Sequence, residues 1–379
     1  MRTALSPTLA KIMAGARQLT RSGQLMEATA AIQRALGGSA PMAPPRHASE
    51  AGSMRAGTAR PDAFVLDGLV SELPVHAPSS PQPVTEVSAG FTAYTYADAT
   101  GPRTYKLYTP SAASAGRPLP MVVMLHGCTQ DPDDFAAGTR MNPLAEREGW
   151  FVLYPAQAPR SNVSKCWNWF NPADQRHGRG EPALLAAMTR EVLARCPVDP
   201  DRVYVAGLSA GGAMAAILGR EYPELYAAVG VHSGLPPGAA SDVASAFATM
   251  KSGDRPRRAE LGARAVPTIV FHGDHDPTVH PEHGRHVIDD ALASAARGTP
   301  DAVLRDAGGP GRRATRSVYR DAEGRSRAEH WEVHGSGHAW SGGSNAGSYT
   351  DPAGPDASAE MLRFFAQHPR RSAAAPAQA

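Results

Sequence analysis

The sequence predicts an α/β fold: a mostly parallel, doubly wound sheet with helices on both faces. Two observations predict it. Strand-like and helix-like segments alternate from about residue 120 to residue 366. Several of the strand-like segments are apolar without interruption, as strands covered on both faces must be.

The elements follow in chain order. FTAYTYA (91–97) and RTYKLYTP (103–110) alternate with period two, the mark of half-buried strands, and an Asp-Ala-Thr-Gly-Pro turn separates them. PMVVMLHG (120–127) is a continuous apolar run and predicts an interior strand. A helix is expected near 133–148, then a strand at WFVLYP (150–155), a helix at 181–196 and a strand at RVYVAG (202–207). A helix from Ala210 to about Arg220 comes next. It is followed by a strand at AAVGVHS (227–233), a helix around 240–251 and a strand at PTIVFHG (267–273). A helix at 281–296, strands near 315–320 and 329–334, and a last helix at 357–366 complete the series.

The α/β domain is thus expected over 86–368. Residues 1–36 read as an N-terminal helical segment, with Leu5, Leu9, Ile12 and Met13 on one face. Residues 37–85 shift to Ala, Pro, Ser and Gly, which bury little, and read as a linker, mostly disordered. Residues 369–379 read as a disordered tail.

Composition narrows the function classes. Thirty-eight basic and 36 acidic residues leave a formal charge of +2, which asks for neither nucleic acid nor an anionic membrane as partner. No apolar run approaches the length of a membrane span. Three cysteines, Cys128, Cys166 and Cys196, are too few for a disulfide scaffold and lack zinc-ligand spacing. One bridge plus a free thiol, or three thiols, both fit. The N-terminus is basic but has no apolar core of a signal peptide, so the cytoplasm is the default address from sequence alone.

The chemistry is concentrated in three loops. Gly207-Leu208-Ser209-Ala210-Gly211 lies directly between an apolar strand and a helix, where a sharp turn demands small flanking residues and leaves a serine Oγ exposed. A serine needs a base, and the base needs an acid to orient it. Asp276 follows the strand PTIVFHG and precedes a proline; Asp274 is the rival acid. His338 lies in the loop Gly335-Ser336-Gly337-His338; His334 is the rival base, though its place at a strand end favours a structural role. Acyl transfer also needs N–H donors for an oxyanion. The backbone N–H groups of Ala210 and of Cys128 or its neighbour, after the strand ending in His126-Gly127, are expected to supply them.

The ordered series LHGCTQ, CWNWF, DRVYVAGLSAGGAM, FHGDHDPTV and GSGHAWSGG resembles the polyhydroxybutyrate (PHB) depolymerase-type esterases over about residues 90–368. These are similar to feruloyl and acetylxylan esterases of the α/β-hydrolase fold. The resemblance implies a triad of Ser209, Asp276 and His338, a Cys128 oxyanion amide and no cofactor. It implies a polyester, oligoester or small ester substrate, with a feruloyl or acetylxylan carbohydrate ester as the alternative. A non-catalytic binding protein on the same scaffold is the reading from another class. Trp167 and Trp340, beside these loops, are expected to line the substrate cleft; the plainer reading makes them core aromatics. The resemblance also favours a Cys128–Cys166 disulfide with Cys196 free, and with it an extracellular or periplasmic address. Histidines 272, 275, 280, 283 and 286 invite a metal. The triad already accounts for the loop, however, and residues 280, 283 and 286 fit a solvated helix face, so no metal is expected.

Overall fold

The computed structural model describes residues 89–98, 101–254, 265–292, 301–307 and 311–370. The expected N-terminal segment, linker and most of the tail lie outside the described residues. The strands are β1 (Gly90–Asp98), β2 (Gly101–Thr109), β3 (Leu119–Leu125), β4 (Phe151–Pro155) and β5 (Val198–Leu208), then β6 (Ala228–His232), β7 (Thr268–Gly273), β8 (Ala302–Ala307), β9 (Ala314–Arg320) and β10 (Ser326–Val333). They form one sheet in the order β1-β2-β4-β3-β5-β6-β7-β10-β9-β8. The central strands from β4 to β10 are mutually parallel, and antiparallel pairs finish both edges.

The helices are α1 (Pro132–Thr139), α2 (Met141–Glu148), α3 (Gly180–Arg195), α4 (Ala210–Glu221), α5 (Val243–Ser252), α6 (Glu282–Ala291) and α7 (Ala357–Ala366). They explain why β3 is apolar at every position. Met121, Val123 and Leu125 join one core with Leu185 and Met188 of α3 and Met214 and Leu218 of α4. Val122 and Met124 point the other way, against Met141 and Leu144 of α2 and Met361 and Phe365 of α7. Each such side chain contributes roughly 1.5–3 kcal/mol by leaving water. A charge at Val123 would be buried without a partner and would unfold the domain.

The single helix expected over 133–148 is two helices. Asp131 caps α1 by accepting from the Asp134 N–H at 3.1 Å, and Arg140 leaves the helical path at φ 55°. The cause is Pro143, which has no N–H to give the Thr139 carbonyl. Ser358 Oγ fills that place, donating to the Thr139 carbonyl at 2.6 Å. The helix expected at 281–296 ends at Ala291, and residues 293–300 lie outside the described residues. Strand β8 was not expected; it is a short edge strand with Val303 and Leu304 exposed. A second small pairing, β11 (Trp340–Ser341) with β12 (Thr350–Asp351), braces the loop after β10. No helix among the described residues is long and apolar enough to cross a membrane.

Candidate active site

β5 delivers its last residue, Leu208, to the C-terminal edge of the sheet, and the chain turns into α4 within one residue. That residue is Ser209, at φ 57° and ψ −118°, a region that L-residues avoid. Holding a serine there costs on the order of 1–3 kcal/mol and requires rigid surroundings. The Ser209 N–H donates to the His232 carbonyl at 2.9 Å, tying the turn to the end of β6. The flanking glycines are a packing necessity. A Cβ at Gly211 would run into the carbonyl oxygens of Leu125 and His126, and one at Gly207 into the Gly211 backbone. The Ser209 hydroxyl makes no hydrogen bond to a described residue.

Beyond β7, a tight turn presents Asp276. Its Oδ1 accepts from the N–H groups of Thr278 and Val279 at 2.8 and 2.9 Å. Its Oδ2 faces His338 Nδ1 at 2.7 Å and His272 Nε2 at 3.4 Å. Burial alone would push this carboxyl up. The hydrogen bonds and charges of His272 and His338 outweigh it and hold Asp276 well below the usual carboxylate range. Asp276 therefore stays ionised and accepts a proton-bearing Nδ1 from His338. When a neutral His338 gives its Nδ1–H to Asp276, the lone pair lies on Nε2, the form a general base requires.

The rival residues find each other instead. His334 Nδ1 lies 3.0 Å from Asp274 Oδ2, and His334 Nε2 lies 2.9 Å from Thr315 Oγ1. Asp274, Glu332 and His334 are close enough together to resemble a metal-ligand group. Both nitrogens of His334 are already engaged, with Asp274 and Thr315.

On the other side of Ser209 lies the segment after β3. His126 Nδ1 donates to the Gly127 carbonyl at 2.8 Å, and its Nε2 accepts from the Gln157 N–H at 3.2 Å. Burial pushes this imidazole down to about 4, so it is a neutral brace. The Gly127 N–H donates to Gln130 Oε1 at 2.9 Å. A Cβ placed on Gly127 would come within 3.7 Å of Ser209 Cβ, so this segment and the serine are immediate neighbours. The N–H groups of Cys128 and Ala210 donate to no described residue. Cys128 is bridged to Cys166, and Cys196 is free.

Two expectations are corrected. Trp167 and Trp340 are each 1% exposed and do not face an open cleft. Trp167 Nε1 donates to the His126 carbonyl at 3.1 Å, and Trp340 Nε1 donates to Ser358 Oγ at 3.1 Å while its ring stacks on His232. Both indoles support the loops from below. Nor do residues 280, 283 and 286 form a solvated face. His283 is fully buried, with Nε2 2.7 Å from the Thr249 carbonyl.

His126 and His232 were given no role in the sequence, and His272 was weighed only for a metal. His232 accepts the Ser341 N–H on Nε2 at 2.9 Å, and burial with the nearby imidazoles of His272 and His338 lowers it to about 3. The signal was available: each of the three closes an apolar run at the rim where the site forms.

Residues 103–308 match the model of the family described as Esterase PHB depolymerase. A poly(3-hydroxyalkanoate) depolymerase C of Paucimonas lemoignei is 32% identical over 243 residues, 61% of this chain and 57% of that protein. A feruloyl esterase B of Neurospora crassa is 33% identical over 135 residues, 35% of this chain and 45% of that one. The chain spans about half the length of these relatives. Among solved structures, an acetyl xylan esterase from Aspergillus awamori aligns with a TM-score of 0.59 at 18% identity, covering 73% of this chain and 99% of that one. That likeness, with the strand order above, makes the fold an α/β-hydrolase. The family match takes in more than half of the 379 residues. The chain belongs to the esterase PHB depolymerase family.

Proposed function

We propose that the chain is a serine esterase that hydrolyses carboxylic esters through an acyl-enzyme, with short-chain polyhydroxyalkanoate polymer or oligomers as its substrate class. The observation that carries the reading is His338: a buried carboxylate holds its Nδ1 proton and leaves Nε2 free on the rim that Ser209 shares. Ser209 Oγ attacks the ester carbonyl as His338 takes its proton. Asp276 stabilises the imidazolium, and the N–H groups of Ala210 and Cys128 receive the oxyanion. His338 then protonates the departing alcohol, and water repeats the sequence to free the acid. No cofactor enters any step. The family match and the Paucimonas relative support the polyester substrate. The Neurospora relative supports a second reading, a feruloyl-type carbohydrate esterase. The Cys128–Cys166 bridge fits an extracellular or periplasmic enzyme.

Ser209→Ala tests the chemistry. Turnover of p-nitrophenyl butyrate should fall by about 10⁴-fold or more with the fold intact. Near-normal turnover would remove Ser209 from the mechanism. Product analysis on 3-hydroxybutyrate oligomers against feruloylated sugars then separates the two substrate readings.

A further inference from the structure

Glu181 stands in the first turn of α3 and is 8% exposed. No cation pairs with it among the described residues. Its carboxylate accepts instead from one loop: Oε2 from the Asn168 backbone N–H at 2.7 Å, and Oε1 from Asn168 Nδ2 at 2.7 Å and from Gln157 Nε2. A buried carboxylate without a counter-ion survives only where donors fill its lone pairs. Here all three side-on donors belong to residues 157–168, so the carboxylate and that loop hold each other.

The same loop walls the segment after β3. Cys166 is bridged to Cys128, and the Ser164 carbonyl accepts from the Thr129 N–H at 2.7 Å. Trp167 Nε1 donates to the His126 carbonyl, and the Gln157 N–H donates to His126 Nε2. Gln157 Nε2 also donates to the Cys166 carbonyl at 2.9 Å, so one side chain joins Glu181 to the bridged cysteine.

We propose that Glu181 is a positioning residue for ester hydrolysis: through Asn168, Gln157 and the Cys166–Cys128 bridge it places the Cys128 N–H that receives the oxyanion. The proposal rests on the serine-esterase reading above. An oxyanion donor works only when it is fixed before charge develops, and a displacement well under a bond length weakens it.

The ionised carboxylate suits this task, because it can accept from all three N–H donors. Burial raises Glu181 to about 7, and the ionised Asp174 adds to the rise, while the Gln157 and Asn168 donors oppose it. Protonation would turn a hydroxyl against a donor and loosen the loop. The other groups facing the network are Asp174, itself raised by burial and accepting the Glu181 N–H at 2.7 Å; the neutral His126; and Lys165, which pairs with Asp131 at 3.4 Å.

The test uses the purified full chain with Glu181→Gln and Asn168→Ala, beside Ser209→Ala. Glu181→Gln keeps the volume and loses the third acceptor site. Its kcat on p-nitrophenyl butyrate should fall roughly 10- to 100-fold with KM within about twofold, the pattern of an interaction made in the transition state. Inhibition by phenylboronic acid, whose serine adduct is tetrahedral and anionic, should weaken by a similar factor. The decline of kcat below pH 7 should be shallower than in the wild type. Asn168→Ala keeps the backbone donor and should show a smaller loss in the same direction; it carries the test if Glu181→Gln does not fold. A folded Glu181→Gln with wild-type kcat, boronate affinity and pH profile overturns the proposal, as does an unaffected Asn168→Ala where the first variant fails to fold. Loss in Ser209→Ala with none in Glu181→Gln sinks this proposal alone. A wild type without esterase activity sinks the esterase reading as well.

Discussion

Two aspartate–histidine pairs lie on the same two loops, and their contacts are nearly alike: 2.7 Å for Asp276–His338 and 3.0 Å for Asp274–His334. Their surroundings are not. The Asp276 and His338 side chains are 0% and 11% exposed, those of Asp274 and His334 26% and 41%. Asp276 accepts from two backbone N–H groups and faces a second imidazole, His272. Asp274 has one backbone donor, the Gly335 N–H at 2.7 Å. Most telling is the far nitrogen of each imidazole. His334 spends its own on Thr315, whereas that of His338 has no hydrogen-bond partner among the described residues. A short Asp–His contact therefore does not by itself mark a general base. A dry carboxylate on one side and an unclaimed lone pair on the other do.

The comparison breaks first at the two acids. The amide N–H of Asp276→Asn can donate to His338 Nδ1 and stabilise the tautomer protonated on Nε2, so kcat for p-nitrophenyl butyrate should fall by about 10⁴-fold. Asp274→Asn should change kcat by no more than about threefold. Steady-state kinetics on the two purified variants decides it, and reversed effects would exchange the assignments.

How far this was legible follows from what each feature depends on. The sequence offers a preference for Asp276 over Asp274, because Asp276 precedes a proline and fits the family motif, and for His338 over His334, because His334 ends a strand. The sequence could not show that the rejected residues pair with each other, since that requires β7 and β10 to be neighbours. Nor could it separate a cleft indole from a supporting one. Trp167 and Trp340 sit beside the site in the chain but are buried against the rings of His126 and His232. The break at Arg140 was written in Pro143 and was outweighed by helical periodicity on both sides. Strand β8 has too few residues and too little burial for its pattern to stand out.

Acid sharpens the comparison in a second way. His126 and His232 are buried and neutral, lowered to about 4 and about 3, whereas His334 is half-exposed. Their folded values lie below the ordinary value of 6.5. Between the two, the unfolded chain binds protons that the folded one refuses. Stability is then complete above about pH 6.5 and is lost as pH falls toward 4, by on the order of 3 kcal/mol for each fully buried imidazole. Thermal unfolding between pH 7 and 4 should show a steep fall in Tm. His232→Gln should flatten the slope. Equal slopes in the two proteins would mean that His232 titrates normally.

The smallest effect concerns the stability that the outer pair supplies. Asp274→Asn keeps an oxygen for the Gly335 N–H and loses only the charge and part of the His334 contact. Pairs this exposed contribute about 0–1 kcal/mol, and salt screens them. Burial would raise the Asp274 carboxyl, but the His334 and Gly335 hydrogen bonds leave it lowered overall. The contribution is thus present above the ordinary carboxylate value and disappears as pH falls through the folded one. Urea unfolding should show Asp274→Asn less stable by no more than about 1 kcal/mol at pH 7 and low salt. The difference should shrink in 1 M NaCl and diminish as pH falls below the ordinary carboxylate value. A loss several times larger that resists salt would mean that Asp274 is as dry as Asp276, and burial could no longer be what separates the two pairs.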